Sequence, residues 1–210
     1  MKQRLALIFA ASCLYGCAKK EAPLPVEAPV APKTVAAPPP LSPEEAMKKM
    51  TEAATPGEAH KRLQGIVGNW KTTSSFWMEP GKKPEVSKGS AKHEWILGKR
   101  FVRQEYKGKF AGQSFVGQGL VGYDNVKKQY VSTWIDSMGT GVMLAEGSYN
   151  AAANQIEMGT KYSCPMTGGD RSGRTVTRFI NKNEFVFEMF DKTPDGVEVK
   201  VMEIHYKRAS

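Results

Sequence analysis

The chain has 210 residues, 40% apolar and 24% charged, with a formal net charge of +9. That length predicts one domain with appendages, and the composition fits a soluble globular core rather than a chain too polar to fold. The positive charge does not mark a nucleic-acid binder, because its pairs (Lys61-Arg62, Lys82-Lys83, Lys99-Arg100, Lys127-Lys128) are scattered beside predicted turns. A nucleic-acid surface gathers such residues on one face or interleaves them with aromatics.

Lys2 and Arg4 precede an apolar run from Leu5 to Leu14. The run is about half the roughly twenty residues that a membrane-spanning helix needs, but it suits the core of a signal peptide. It ends in Leu14-Tyr15-Gly16-Cys17, which resembles the lipobox of bacterial lipoproteins, although Tyr15 is bulkier than is usual there. The resemblance implies removal of residues 1–16, acylation of Cys17 with palmitate-type chains, and anchoring in the cell envelope. Ala18 follows Cys17 where inner-membrane lipoproteins often carry Asp, so the implied address is the outer membrane, facing the periplasm. An ordinary secretory signal cut near Ala18 is the alternative. On the lipoprotein reading Cys13 is discarded and Cys164 remains the one free thiol. No internal disulfide is then expected, and the fold must stand on its core.

Residues 17–41 form a linker rich in Pro and Ala, with seven prolines between Pro23 and Pro40. Proline fixes φ and lacks an N–H, so an extended spacer reaching roughly 70 Å is expected. Recognition by a proline-binding partner is the sharper alternative. The folded domain is expected over 42–210. Ser42-Pro43-Glu44-Glu45 has the form of a capping box, opening a helix to about Ala54 with Met47, Met50 and Ala54 on one stripe. Thr55-Pro56-Gly57-Glu58 repeats the form, opening a second helix to about Val67 with Leu63, Ile66 and Val67 inward.

From Asn69 on, ten strands are predicted, near 69–78, 86–96, 99–107, 113–123, 129–138, 142–149, 154–162, 171–180, 184–191 and 197–207. Turn-forming residues separate them. Asp124-Asn125 supplies one such turn, and Tyr130, Ser132, Trp134 and Asp136 then share one face of the following strand. Short strands with tight connections predict an all-β fold, an up-and-down antiparallel barrel preceded by two short helices, since closure alone removes both sheet edges. No stretch alternates strand with crossover helix, which excludes a doubly wound α/β fold.

Gly68-Asn69-Trp70 after a short helix resembles the lipocalin and calycin signature, in which the Trp closes one barrel end. The resemblance implies a basic residue near the last strand packed on that Trp by cation–π contact, a place for Lys207 or Arg208. Longer words in order, among them Phe76-Trp-Met-Glu-Pro-Gly81, Gly122-Tyr-Asp-Asn-Val-Lys-Lys128 and Phe185-Val-Phe-Glu-Met-Phe-Asp191, resemble a bacterial family catalogued as domain of unknown function fifteen-seventy-nine. The resemblance spans roughly 47–208. It implies a lipocalin-like barrel and brings no reaction or ligand with it.

The chain carries no strong catalytic signature. Gly117-Gln-Gly-Leu-Val-Gly122 spells G-x-G-x-x-G inside a strand and opens no helix, so its glycines read as bends rather than a phosphate cradle. His60, His93 and His205 fall on different elements, and Cys164 falls in a Pro/Gly loop. Neither a metal nor a cofactor is expected, and the chain is not read as an enzyme. Asp136, Glu146, Glu188, Asp191 and Glu203 lie along strands, and alternation turns most of them to water. Asp136 is the exception, because it shares a face with Trp134 and Tyr130.

Two functions follow. In the first, a lipid-anchored, monomeric envelope protein binds a small apolar or amphipathic molecule inside its barrel, with Trp70, Trp95, Tyr130, Trp134, Asp136 and Phe187 as candidate ligand contacts. In the second, the barrel is filled and acts through its surface as a structural or interaction module.

Overall fold

The structure is a computed structural model that describes residues 40–209. The expected signal peptide, the lipidated Cys17 and nearly all of the linker lie outside the described residues. Helix α1 (Pro43–Ala54) opens as the sequence predicts: Ser42 Oγ accepts from Glu45 N at 3.2 Å, and Glu45 Oε2 accepts from Ser42 N at 2.9 Å. Its apolar stripe does not pack, however. Met47 and Met50 are 63% and 66% exposed, and no residue of α1 is buried. The helix is held at its C-terminus instead, where Asn125 Nδ2 donates to the carbonyls of Ala53 and Thr55.

The second helix differs from its expected form at the cap. Helix α2 (Glu58–Arg62) begins after Gly57, which has no side chain to offer, and Gly57 N donates to His60 Nδ1 at 3.1 Å. It tightens into a 3-10 turn over Leu63–Ile66, burying Leu63 and Ile66 almost completely.

Ten strands follow: β1 (Gly68–Phe76), β2 (Glu85–Ile96), β3 (Phe101–Phe110), β4 (Gln113–Asp124), β5 (Gln129–Asp136), β6 (Met143–Asn150), β7 (Gln155–Cys164), β8 (Gly169–Asn181), β9 (Glu184–Lys192) and β10 (Glu198–Arg208). Each pairs antiparallel with its chain neighbours, and β1 pairs with β10 from Trp70↔Arg208 to Phe76↔Met202, closing the barrel. Closure satisfies the backbone groups that an open meander would leave on two edges.

The connections follow local chemistry. Between β4 and β5, Asp124 Oδ1 accepts from the amides of Val126 and Lys127, an Asx-type turn. Between β3 and β4 the five-residue turn expected at 108–112 shrinks to Ala111-Gly112, both at positive φ, the two-residue hairpin geometry that matches strand twist. This extends β3 to Phe110, whose ring meets Phe76 edge-on at 4.6 Å. Cys164 likewise ends β7 rather than lying in a loop, and is 2% exposed. It is disulfide-bonded, so the expectation of a free thiol is corrected.

Strand β9 is apolar on both faces for two reasons. Phe185, Phe187 and Met189 point into the lumen. Val186, Glu188 and Phe190 point outward, where long cationic side chains rather than helices cover them. The Arg174 guanidinium lies 4.2 Å from the Phe190 ring, and Arg178 and Lys200 both pair with Glu188.

Candidate functional site

Antiparallel order fixes two unlike barrel ends. At one end lie α2, the Leu63–Ile66 turn and both chain-terminal strand ends. At the other lie the connections after β1, β3, β5, β7 and β9.

The helical end is sealed. Trp70 is 1% exposed, its Nε1 donates to Ile66 O at 2.8 Å, and its ring meets Phe185 edge-on at 4.8 Å. Arg208 lies 4.3 Å over Trp70 and donates to the carbonyls of Val67 and Lys182, so of the two basic residues expected there Arg208 makes the stack. Trp95 Nε1 donates to Gln64 Oε1 at 2.8 Å. Tyr130 Oη donates to Ala59 O and accepts from Arg62. Burial pushes the Tyr130 phenol above its ordinary range, against the opposing pull of Arg62.

The lumen beyond this plug is not packed solid. A cavity of about 760 Å³ runs to the opposite end, within the size range of small-molecule sites. It opens between the β5–β6 connection, residues 137–142, and the β7–β8 turn, where Pro165, Gly168, Gly169 and Asp170 line it. Phe76, Phe110, Phe115 and Met138 cluster at this end as an apolar rim.

Of the six candidate contacts, Trp134, Asp136 and Phe187 line the cavity, whereas Trp70, Trp95 and Tyr130 build the sealed end. Asp136 holds its own neighbourhood in place: Oδ2 accepts from Trp134 Nε1 at 3.1 Å, and Oδ1 accepts from Met138 N at 2.9 Å. This fixes the indole plane and the start of the mouth loop together. The other strand carboxylates divide by face. Glu146, Glu188 and Glu203 pair with outward lysines or arginines. Asp191 is 1% exposed and accepts from Tyr162 Oη at 2.7 Å and from Arg171 at 3.0 Å.

Among the lining residues that sequence reasoning did not single out are His93 and Tyr206. His93 is 4% exposed, and its Nδ1 lies 3.0 Å from Ile66 O. Burial pushes its pKa down to about 4, against the raising effect of that carbonyl. Tyr206 stacks on Phe185 at 4.1 Å, and burial, then the neighbouring Tyr106, push its phenol upward. The signal for His93 was available, since alternation through β2 puts Ala91, His93 and Trp95 on one face. His60 and His205 lie elsewhere, the first against Tyr123 and the second on Glu203. Among the described residues no group of three or more His, Cys, Asp or Glu gathers as a metal site.

Fold and cavity together define a closed, ten-stranded, lipocalin-like antiparallel barrel with one sealed and one open end. The chain belongs to the family described as "Protein of unknown function (DUF1579)", whose model matches residues 55–208. No curated protein matches it. Among solved structures it is similar to Rv2717c from M. tuberculosis, at 12% identity and a TM-score of 0.56, covering 74% of this chain and 100% of that one. It also matches the S-type phycobiliprotein lyase CPES from Guillardia theta, at 9% identity and a TM-score of 0.42, over 74% and 99% of the two chains. A redesigned β-barrel matches at 14% identity and a TM-score of 0.37, over 72% and 96%. At these identities the likeness to Rv2717c speaks for the fold alone.

Proposed function

We propose that this is a lipid-anchored cell-envelope protein whose barrel carries a small apolar or amphipathic molecule. The observation that carries the reading is the 760 Å³ lumen with its mostly apolar wall and its single sealed end. A barrel acting only by its surface gains nothing from such a void, because an empty apolar cavity forfeits packing. The lipobox-like Leu14-Tyr-Gly-Cys17 and the proline-rich spacer support the anchored address. We read the protein as a monomeric carrier rather than an enzyme, with no cofactor and no nucleic-acid partner. Native mass spectrometry of protein extracted gently from cells tests it. A reproducible added mass that Trp134→Ala removes supports the carrier. A clean apo mass, persisting through a screen of envelope lipids, overturns it.

A further inference from the structure

The cavity's polar groups are unevenly placed, and their chemistry narrows the class of ligand. At the sealed end His93 and Tyr206 face one another, with ring centroids 5.7 Å apart, and both line the cavity. The carbonyl of Ile66 can only accept, so His93 Nδ1 carries a proton and donates to it. The second nitrogen of the neutral ring, Nε2, is therefore a bare acceptor. It has no hydrogen-bond partner among the described residues, and neither has the Tyr206 hydroxyl, which is a donor. Neither atom is fully enclosed by protein, since Thr72 Oγ1 is the one such unpartnered atom found among the described residues. An acceptor and a donor thus line the sealed end of a mostly apolar chamber, with the Gln104 amide level with His93 on the next strand. Buried polar groups are seldom left unsatisfied, and each that is calls for a partner.

Charge narrows the choice further. No lysine or arginine lines the cavity, and its acidic side chains, Asp136 and Asp170, belong to the mouth end. A carboxylate or phosphate pushed to the floor would meet no countercharge and would lose its hydration uncompensated. An ammonium group would find no carboxylate there either. A single hydroxyl answers both groups at once, donating its proton to Nε2 and accepting from the phenol. Ile156, Met158, Phe187, Met189 and Ile204 then supply apolar wall, and Phe76, Phe110 and Met138 add apolar rim beside the two carboxylates of the mouth.

We propose that the cavity takes a long-chain aliphatic alcohol, hydroxyl first, with its oxygen between His93 Nε2 and the Tyr206 hydroxyl and its tail toward the mouth. The assignment rests on the carrier reading above and gives it a substrate class.

The test is titration of the delipidated mature protein with hexadecanol, hexadecanoate, hexadecylamine and hexadecane at pH 8, read by Trp fluorescence. Hexadecanol is expected to bind roughly tenfold tighter than any of the other three, the worth of a satisfied buried hydrogen-bonding pair. Tyr206→Phe, which keeps the stacked ring, should cost hexadecanol roughly tenfold and leave hexadecane unchanged. His93→Asn keeps a donor for Ile66 O, deletes the Nε2 acceptor, and should act the same way. Hexadecanoate or hexadecylamine binding as tightly as the alcohol, or indifference of alcohol binding to Tyr206→Phe, overturns the alcohol site while leaving the carrier in place. Failure of all four probes, hexadecane included, overturns the carrier reading as well.

Discussion

The indole of Trp134 lies flat across the bare backbone of Gly117 and Gly119: a Cβ at Gly119 would meet Trp134 Cε3 at 2.9 Å, and one at Gly117 would collide with Cζ2. These are two of the glycines whose spacing mimics a phosphate-binding loop. Their service here is to give a large ring a flat bed on the lumen side of β4.

The two positions should respond differently to alanine. At Gly117 the colliding atoms all belong to the Trp134 side chain, which can swing into the cavity. Gly117→Ala is expected to cost about 1 kcal/mol and to shift Trp emission as the ring moves. At Gly119 the added carbon also meets Thr133 O at 2.6 Å, a backbone atom held in the β4–β5 ladder. Gly119→Ala should therefore cost about 3 kcal/mol. Urea denaturation of both variants checks this, and equal losses would count against the indole-bed account.

Arg208 closes the barrel by joining three pieces: the Trp70 ring, the Val67 carbonyl before β1, and the Lys182 carbonyl between β8 and β9. Arg208→Ala is expected to lower stability by about 2 kcal/mol, combining a cation–π contact with charge-assisted hydrogen bonds. Arg208→Lys should recover less than half, because an ammonium cannot reach two carbonyls while lying flat on an indole. Equal midpoints for the lysine variant and the parent would refute the planar role.

Much of this barrel was legible because strand alternation and turn chemistry are local. Asp124 capping two amides and Ser42 capping α1 need only their neighbours, and both turned out as their residue types predict. What failed depends on distant geometry. The stripe of Met47 and Met50 looks like a packing face, yet where α1 lies is decided by Asn125, some seventy residues on. Trp70, Trp95 and Tyr130 have the composition of a ligand site, but their position along the barrel axis puts them in the plug. Only strand register, which decides whether an inward residue lies at the end or the middle of the lumen, separates Trp95 from Trp134. His93 looked like an isolated histidine because its partner is a backbone carbonyl, which no side-chain motif announces.

The lipid anchor is a prediction from Leu14-Tyr-Gly-Cys17. Full-length protein expressed in a bacterium that processes lipoproteins should partition into the detergent phase, and Cys17→Ser should return it to the aqueous phase. Intact mass should begin at Cys17 and carry acyl chains. The same spectrum reads Cys164: with Cys13 removed and Cys17 a thioether, a lipidated monomer has no cysteine left to share its disulfide, so a disulfide-bonded Cys164 in the mature chain would count against the anchor. An unmodified mature chain beginning near Ala18 would show the ordinary secretory route instead.

His93 also sets a pH window for stability. Its ordinary pKa of 6.5 falls to about 4 in the fold, because burial beside Phe185 and Tyr206 penalises the charged ring more than the Ile66 carbonyl favours it. Below pH 6.5 the unfolded chain takes up a proton that the native ring refuses, so the unfolded state gains. Stability from this group is thus whole above pH 6.5, falls as pH drops toward 4, and is level below it. The full loss is about 3 kcal/mol. His60 is shifted the same way by burial and adds to the slope. In urea midpoints measured between pH 7.5 and 4.5, His93→Asn should flatten most of the decline and leave the smaller part that belongs to His60. A variant that kept the parent's slope would show that the folded barrel does not hold His93 below its ordinary pKa.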